Sequence, residues 1–387
     1  MGALTGARGA GLVLAIVLPA LACESKTKPG DPLPGLSSEE RQRFDRGREV
    51  FVRVFTPETG LGPLFNADAC AACHDEPFVG GVGDEVEIHA TAVLPDGACD
   101  ALLDAGGPVY QQRVTPALEQ ALGITEEPIP ERATGRARRT VPDVLGFGFL
   151  DAIPEATILA RADPEDEDGD GVSGRPNRFF DGRLGRFGRK AFLPTLREFN
   201  AGAFPIEQGI TNPALPEEGT VGGRPFPPGT DPAPDPELSA EDVERTDDFV
   251  RFLAPPRPQA RLLVTWRARG IFSRIGCADC HVPRLRTGES GTRPLRYREV
   301  AAYTDLLLHD MGPELADICL GDATPSEFRT EPLMGLRFSN VFLHDGRAKS
   351  IRQAIELHGG EGARSRDLFA RLTRKERQVL LEFLGGL

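Results

Sequence analysis

Two copies of the pentapeptide C-x-x-C-H place the strongest constraint on how this chain can fold. The first is Cys70-Ala71-Ala72-Cys73-His74 and the second is Cys277-Ala278-Asp279-Cys280-His281. This pentapeptide is the attachment sequence of c-type haem, in which the two thiols bind the haem vinyl groups and the histidine ligates the iron. We therefore predict two covalently bound haem c groups, with His74 and His281 as iron ligands.

Two other uses of C-x-x-C are open. A single pair could form a thioredoxin-like redox centre, and the two pairs together could bind a zinc ion. The zinc site would have to close a loop of about two hundred residues. Neither alternative explains why a histidine follows both pairs.

The composition indicates a large, acidic, loop-rich protein. The chain has 387 residues, enough for two domains, and its 44 glycines and 34 prolines predict long loops around short helices. The formal net charge of −13 disfavours nucleic-acid binding. We expect a small redox protein or another electron donor as partner, and no nucleic acid.

The N-terminus resembles an export signal. Arg8 precedes an apolar run from Gly11 to Ala22, which is too short for a comfortable membrane span. We predict a signal peptide over residues 1–22 and a periplasmic or outer-surface location. Ala20-Leu21-Ala22-Cys23 also resembles a lipobox, in which case a lipidated Cys23 and residues 23–36 would tether the protein to a membrane. Ordinary secretory cleavage is the alternative.

Two cysteines are left after Cys23 and the haem motifs are set aside. Cys99 and Cys319 could form a disulfide in an oxidising compartment, which would tie the two halves of the chain together. Two separate buried thiols are equally open.

The chain follows one plan twice. In each half an amphipathic helix precedes the haem motif, and a capped amphipathic helix closes the half, beginning at Ser239 or at Thr373. A repeat of this length predicts two similar domains rather than a solenoid. We place the first haem domain at residues 37–254 and the second at residues 255–387.

The first domain is the longer one. It carries an insertion from about Gly80 to Val114, in which Val86, Ile88 and Ala90 alternate as in a half-buried strand. His89 lies on the opposite face, so we expect it to be exposed. A proline-rich stretch, residues 212–236, predicts an extended loop before the closing helix.

A haem iron can take a sixth ligand from histidine, methionine or sometimes tyrosine. Besides the two motif histidines, the candidates are His89, His309, His344, His358, Met311, Met334, Tyr110, Tyr297 and Tyr303.

His358 is the best placed of these candidates. Ser350 caps a short predicted helix, on which Ile351, Ala354, Ile355 and His358 share one apolar face. A core histidine without a ligand role is the alternative. The first half has no equivalent histidine, so its iron could stay open to peroxide or another small ligand.

Three residues are candidates for catalysis. His309 ends an apolar run and His344 opens a turn, and either could hydrogen-bond a haem propionate or an iron-bound oxygen species. Glu155 precedes a short helix in the first half and could move protons during O–O cleavage. An ordinary carboxylate in a first helical turn is the alternative for Glu155.

An acidic loop in the first half resembles the start of an EF-hand. Asp166, Asp168 and Asp170 alternate before Gly171, so three carboxylates could converge on one Ca²⁺. Asn177 stands where such loops usually have a bidentate glutamate, so this is not a full EF-hand. A solvated acidic loop is the alternative.

Several longer segments resemble the bacterial di-haem oxidoreductases grouped as peroxidases or thiol oxidoreductases. That family is similar to the di-haem cytochrome c peroxidases and to the methylamine-utilisation di-haem maturase. The resemblance runs from about residue 37 to the C-terminus. The matching segments are residues 62–66, 168–177, 303–312, 342–348 and 354–360.

The resemblance implies a mainly α fold of two tandem cytochrome c-like haem domains, loop-rich and with a small β insertion in the first. It also implies that the first haem reacts with peroxide while the second relays electrons. His358 stands where the peroxidases place a methionine and the maturase a tyrosine. The Trp-x-Gly-Arg segment of the peroxidases is replaced by Phe149-Leu150-Asp151, so no bridging tryptophan carries over, and we expect Trp266 to be core.

These observations favour an exported, peroxidase-like di-haem enzyme. A di-haem electron carrier without chemistry of its own is the first alternative, and it requires sixth ligands on both irons. A maturase-like oxidase of a partner protein is the second.

Overall fold

A computed structural model describes residues 27–259 and 261–387. The predicted signal peptide and Cys23 lie outside these residues. Within them, no helix combines the length and the apolar character that a membrane crossing requires.

The helices are short and are separated by long loops. In chain order they are α1 (Ser38–Phe51), α2 (Pro116–Leu122), α3 (Phe147–Asp151), α4 (Glu155–Leu159), α5 (Leu196–Ala203), α6 (Ala240–Phe252), α7 (Leu262–Arg274), α8 (Cys277–Cys280), α9 (Ile351–Glu356), α10 (Ala363–Arg371) and α11 (Arg374–Leu384).

The strands form one small sheet and several two-stranded pairs. They are β1 (Leu64–Phe65), β2 (Val86–Val93), β3 (Cys99–Asp100), β4 (Val109–Tyr110), β5 (Arg113–Val114), β6 (Gly135–Thr140), β7 (Thr220–Val221), β8 (Arg224–Pro225), β9 (Leu285–Arg286), β10 (Glu299–Val300), β11 (Leu308–Asp310) and β12 (Glu327–Arg329). The mainly α prediction is therefore confirmed only in part, because loops and small sheets accompany the helices.

The opening and closing helices pack together in both halves. In the first half α1 packs on α6, and in the second α7 packs on α11. The α1–α6 contact is close, since a Cβ on Gly47 would lie 2.0 Å from the carbonyl oxygen of Arg245. The predicted capping box at Ser37 is present, and a second one at Thr373 starts α11.

The buried apolar side chains form separate clusters. The largest joins residues 33–254 to residues 282–307, so it crosses the expected domain boundary, whereas a second cluster lies wholly within residues 268–387. The division at residue 254 therefore stays a prediction. The core prediction for Trp266 is wrong: its side chain is 75% exposed on the outer face of α7.

The predicted insertion supplies three strands of the main sheet, β2, β3 and β4, and the fourth strand, β6, lies beyond it. Strand β2 pairs antiparallel with β3, β4 and β6, which confirms the strand expected from the alternating residues. The exposure predicted for His89 is wrong, since it is only 8% exposed. The sheet is covered on both sides here, because Thr91 of the same strand contacts Cys319 from the second half.

A disulfide joins the sheet to the second half of the chain. Cys99 in β3 is bonded to Cys319, with 220 residues between them in sequence and 5.7 Å between their Cα atoms. The sequence left either a disulfide or two separate buried thiols open for these cysteines, and the structure has the disulfide. The motif cysteines Cys70, Cys73, Cys277 and Cys280 are unpaired.

A buried ionic cluster lies beside this disulfide. The Asp317 carboxylate accepts hydrogen bonds from Arg139 at 3.0 and 2.7 Å and pairs with the Lys190 ammonium at 2.9 Å. No side chain of the three is more than 6% exposed. Lys190 also donates to the carbonyl oxygens of Thr324, Pro325 and Glu327. One ammonium therefore fastens the 324–327 turn of the second half to the first.

Replacing Asp317 should destabilise the protein strongly. In Asp317→Asn two cations stay buried without their carboxylate, and we expect unfolding free energy to fall by about 3–5 kcal/mol in denaturant titrations. Burial alone would raise the pKa of Asp317, but the charges of Arg139 and Lys190 outweigh it and lower that pKa. The stabilisation is therefore present above the ordinary aspartate pKa and is lost as the pH falls through the folded-state value. Equal stability of variant and wild type at pH 7 would contradict this.

Removing the disulfide should cost nearly as much. Because it closes a loop of 220 residues, chain entropy predicts a loss of up to about 5 kcal/mol for Cys99→Ala/Cys319→Ala. Dithiothreitol-treated wild type is the matched comparison, since it leaves the sequence unchanged. A denaturation midpoint that neither treatment moves would refute the expectation.

Candidate functional site

The second C-x-x-C-H motif forms a helical turn that aims its histidine for ligation. Helix α8 contains Cys277 and Cys280, and the backbone N–H of His281 donates to the Cys277 carbonyl at 2.9 Å. The Nδ1 atom of His281 lies 3.0 Å from the Tyr303 carbonyl oxygen. A carbonyl only accepts hydrogen bonds, so Nδ1 carries the proton and Nε2 is left with a lone pair for a metal.

His358 has the same arrangement. Helix α9 ends two residues before His358, so the predicted helix is slightly too long, and the His358 Nδ1 atom lies 2.7 Å from the Ala354 carbonyl oxygen. Its Nε2 atom is therefore also unprotonated. The predicted apolar face is confirmed, since Ile351, Ala354, Ile355 and His358 all line one cavity.

This cavity has the size and lining of a cofactor site. Its volume is about 640 Å³, and Cys277, Cys280, His281 and His358 all border it. Apolar side chains make up much of the rest: Phe272, Leu333, Leu336, Ile355 and Leu384. Five cationic side chains that could pair with carboxylates also line it: Arg138, Arg189, Arg329, Lys349 and Arg366. The donor set, the tautomers and the lining fit a haem with two axial histidines.

The same cavity extends to the segment that follows the first motif. Its lining includes Glu76, Val82 and Gly83, which follow His74 in sequence. The motif itself forms a 3-10 turn at Cys70–Ala72, and the His74 Nδ1 atom lies 3.3 Å from the Gly81 carbonyl oxygen. His74 is thus also set up as a ligand through Nε2. Among the described residues, no further histidine has Nδ1 opposite a backbone carbonyl.

Burial reinforces these assignments. It lowers the pKa values of His74 and His358 and brings the pKa of His281 to about 4, so all three rings stay neutral at pH 7. It also raises the pKa of Cys70 to about 11 and those of Cys73 and Cys277 to about 12. Reactive thiolates are therefore disfavoured, which counts against a redox pair. No cysteine joins a metal-ligand cluster within the described residues, which counts against zinc.

His309 is held as a buried cation. Its Nε2 atom lies 2.8 Å from Asp305 and its Nδ1 atom 2.6 Å from Glu361. Burial opposes the charge, but the hydrogen bonds of the two carboxylates and Cys280 raise the pKa of His309 well above its ordinary value. Both ring nitrogens are occupied, so His309 is not arranged as an iron ligand. Its catalytic role stays a prediction.

His344 is more available. It lines the cavity and stacks on Phe328, with ring centroids 4.4 Å apart. Burial lowers the pKa of His344 to about 4, so the ring is neutral at pH 7 and can accept a proton. No side-chain or backbone group of the described residues hydrogen-bonds its ring. The His344 carbonyl accepts a hydrogen bond from the Thr140 N–H at 2.9 Å. Pro142, two residues after Thr140, contacts the His74 ring through its backbone, so the residue 140–142 segment connects His344 to His74.

Other candidate residues are distributed unevenly. Met311 and Met334 line the cavity, whereas His89, Tyr110, Tyr297 and Tyr303 do not. Glu155 is an exposed residue in the first turn of α4 and is not part of the lining. The structure thus brings His309 and His344 to the cavity but not Glu155, whose catalytic role is left as an untested prediction.

The acidic loop gathers a different set of carboxylates from the predicted one. Oxygens of Asp163, Asp166 and Asp168 lie within 4.8 Å of one another, while Asp170 instead accepts from the Val172 N–H at 2.8 Å. Asn177 is fully buried and donates to two backbone carbonyls, so it does not take part. Calcium binding by Asp166, Asp168 and Asp170 stays a prediction.

Sequence analysis missed the two partners of His309. Asp305 lies four residues before His309, and that spacing could have indicated it. Glu361 comes 52 residues after His309, and no local pattern points to it. Glu361 also accepts from the Ser173 N–H and hydroxyl, so it links His309 to the acidic loop.

Replacing His358 should change the second haem site alone. We expect His358→Ala to convert one low-spin haem signal to high-spin in electron paramagnetic resonance, because the residue that we assign as sixth ligand is removed. His89→Ala is the matched control, since His89 lies outside the cavity. An unchanged low-spin signal in His358→Ala would remove this ligand assignment.

Comparison with known proteins adds family information. The profile of the family described as "Di-haem oxidoreductase, putative peroxidase" matches residues 130–387. No curated protein matches the chain.

Solved structures align with the chain at low similarity. Hydrazine synthase from Kuenenia stuttgartiensis aligns over 98% of this chain and 100% of its own, at 15% identity and a TM-score of 0.42. A MauG-like protein associated with microbial copper homeostasis aligns over 94% of this chain and 93% of its own, at 15% identity and a TM-score of 0.39. A variant of the di-haem peroxidase BthA from Burkholderia thailandensis aligns over 88% of this chain and 84% of its own, at 16% identity and a TM-score of 0.42. The family match covers about two thirds of the sequence, and the chain therefore belongs to the di-haem oxidoreductase family.

Proposed function

We propose that this protein is an exported di-haem c-type oxidoreductase that reduces peroxide at the first haem, with electrons relayed through the second. One observation carries the proposal. Three histidines have the tautomer and burial of iron ligands, and two of them lie at the second motif while one lies at the first. This asymmetry predicts a second iron with both axial positions filled and a first iron with one position open.

The ligand assignments follow from this arrangement. His281 and His358 would hold the second haem and His74 the first, and the four motif cysteines would attach the two haems covalently. When bound, the haems would supply iron for electron transfer and, at the first motif, for peroxide binding. The backbone carbonyls behind the three histidines fix each ring and its tautomer.

The cavity contributes the surroundings. A single cavity borders the second motif and the segment after the first, which supports two haem sites placed close to each other. His344 lies on this cavity as a neutral imidazole, so it is the residue we assign to accept and return a proton at bound peroxide. Phe328 stacks on the ring and positions it.

Location and partner form part of the proposal. The Cys99–Cys319 disulfide supports an oxidising compartment, in agreement with the signal-like N-terminus. A small redox protein or another electron donor would supply the electrons, and lipidation of Cys23 would tether the protein to a membrane. Calcium in the acidic loop would tie that loop more firmly to Glu361 and His309.

Met334 is the residue on which the electron-carrier alternative depends. It lines the cavity and packs against Gly146, so it is the side chain that could close the open position at the first iron. If it did, the protein would carry electrons without reacting with peroxide.

Spin state and turnover together test the function. We expect the haem-loaded protein to show one high-spin and one low-spin haem and to consume peroxide with a reduced small cytochrome as donor. His344→Ala should lower kcat by about 100-fold or more while leaving both spin states unchanged, because only a proton-transfer group is lost.

Two further variants serve as controls. Glu155→Gln should turn over peroxide at the wild-type rate, and a large loss there would restore Glu155 as the proton donor. Two low-spin haems in the wild type, with one becoming high-spin in Met334→Leu and no peroxide turnover in either, would establish the electron carrier instead.

A further inference from the structure

The proline-rich segment before α6 gathers four carboxylates in one small space. Glu218 precedes β7, Asp231 and Asp235 follow β8, and Glu237 stands before α6. Each contributes an oxygen, and these four oxygens all lie within 4.8 Å of one another. The β7–β8 hairpin closes between Glu218 and Asp231, so backbone pairing brings these residues together.

Glu218, Asp231 and Glu237 are half-buried and Asp235 is exposed, but several of the carboxylate oxygens are buried without partners. Both oxygens of Glu218, Oδ1 of Asp231 and Oε1 of Glu237 each expose less than 1 Å² and accept no hydrogen bond. Thr211 donates to the group through its N–H and hydroxyl to Glu237 and through its hydroxyl to Asp235. No lysine or arginine of the described residues pairs with any of the four. Buried carboxylates in this condition are costly unless protons or a bound cation neutralise them.

We propose that this cluster is a structural binding site for a divalent metal cation, with Ca²⁺ as its ion, formed by Glu218, Asp231, Asp235 and Glu237. Carboxylate oxygens are the ligands that hard cations prefer, whereas zinc and copper sites usually include nitrogen or sulfur. Ca²⁺ binds oxygen at roughly 2.3–2.6 Å, so ligands on opposite sides of the ion lie about 5 Å apart. The four oxygens all lie within 4.8 Å of one another, which is close enough for one ion to contact all of them.

The electrostatics of the cluster point the same way. Burial, together with Asp231, Glu237 and Asp235, raises the pKa of Glu218 to about 8. Burial also raises the pKa values of Asp231 and Glu237. A divalent cation would replace the protons that the cluster otherwise has to retain.

The site would fasten the proline-rich loop to the core under the first motif. Leu238, the residue after Glu237, lies in a cluster with Phe55, Leu61 and Phe204, against which Cys70 packs. The Glu237 side chain also packs on Gly60, where an added Cβ would lie 2.7 Å from the Glu237 Cβ. A cation here would therefore hold residues 218–237 in place without touching the haem cavity.

Calcium binding by the haem-loaded, full-length protein tests the proposal. After treatment with a chelator, the protein is titrated with CaCl₂ by calorimetry, and its Tm is measured with and without roughly millimolar CaCl₂. We expect Ca²⁺ to raise the wild-type Tm. We also expect Glu218→Gln to lower the affinity for one equivalent of Ca²⁺ by at least about tenfold. Glu217→Gln is the matched control, because this exposed neighbour lies outside the cluster. The acidic-loop variant Asp166→Asn/Asp168→Asn should still bind this equivalent of Ca²⁺ with the wild-type affinity.

The behaviour of the variants distinguishes a bound cation from retained protons. In chelator and above about pH 8, Glu218→Gln should melt above the wild type, because the Glu218 carboxyl, whose pKa is raised to about 8, is then charged in the wild type and the substitution removes that charge. If instead the wild type shows no Ca²⁺ dependence, or Glu217→Gln and Glu218→Gln bind Ca²⁺ alike, the proposal is overturned and protons alone relieve the repulsion. Asp231→Asn replaces Glu218→Gln in every comparison if the latter does not fold.

Discussion

The buried carboxylate of Asp317 is the contact on which the relation between the two halves depends. It pairs with Arg139 from β6 and with Lys190 from the following loop region, and no side chain of the three is more than 6% exposed. Removing the carboxylate while the halves stay packed would leave two cations buried without it, which is far more costly than losing ordinary packing. Lys190 extends the effect, since its ammonium also lies 3.8 Å from the centre of the Phe328 ring. Phe328 stacks on His344, so the ionic cluster is continuous with the wall of the cavity.

The histidines show how one residue type is divided between roles by its backbone surroundings. A carbonyl opposite Nδ1, combined with burial, leaves a neutral ring with a lone pair on Nε2, as at His74, His281 and His358. Two carboxylates opposite both nitrogens produce a cation instead, as at His309. His344 has neither kind of partner among the described residues. The chemistry of each ring is therefore set by its neighbours rather than by its position near a motif.

Local patterns in the sequence predicted the parts of the fold that depend on local interactions. A helix start or an amphipathic face depends only on residues that are close together in sequence. For this reason the sequence predicted the capping residues at Ser37, Ser239 and Thr373, and also the apolar face of α9 that leads to His358. Burial was harder to predict. His89 is covered by the second half of the chain and Trp266 is left uncovered on α7, and both results depend on tertiary contacts.

The site was predictable to a similar degree. The motif cysteines and histidines came directly from the pentapeptides, and His358 came from its helical spacing. The Asp317 cluster, Glu361 and the carboxylates around Glu218 were not predictable, since each joins residues that are far apart in sequence or separated by loops. The sequence likewise could not show whether Cys99 and Cys319 form a disulfide, because that depends on the distance between them in the fold.

The disulfide has a consequence for the order in which the protein matures. Cys277 and Cys280 lie between Cys99 and Cys319 in the chain, and Cys70 and Cys73 lie before them. In the exported protein that we propose, Cys99 would meet several free thiols before Cys319 emerges, and oxidation in order of appearance would give the wrong pairs. Thioether formation at the haem motifs would remove four of these competing thiols. Cofactor attachment would then act as a proofreading step for the correct cross-link, quite apart from any role in electron transfer.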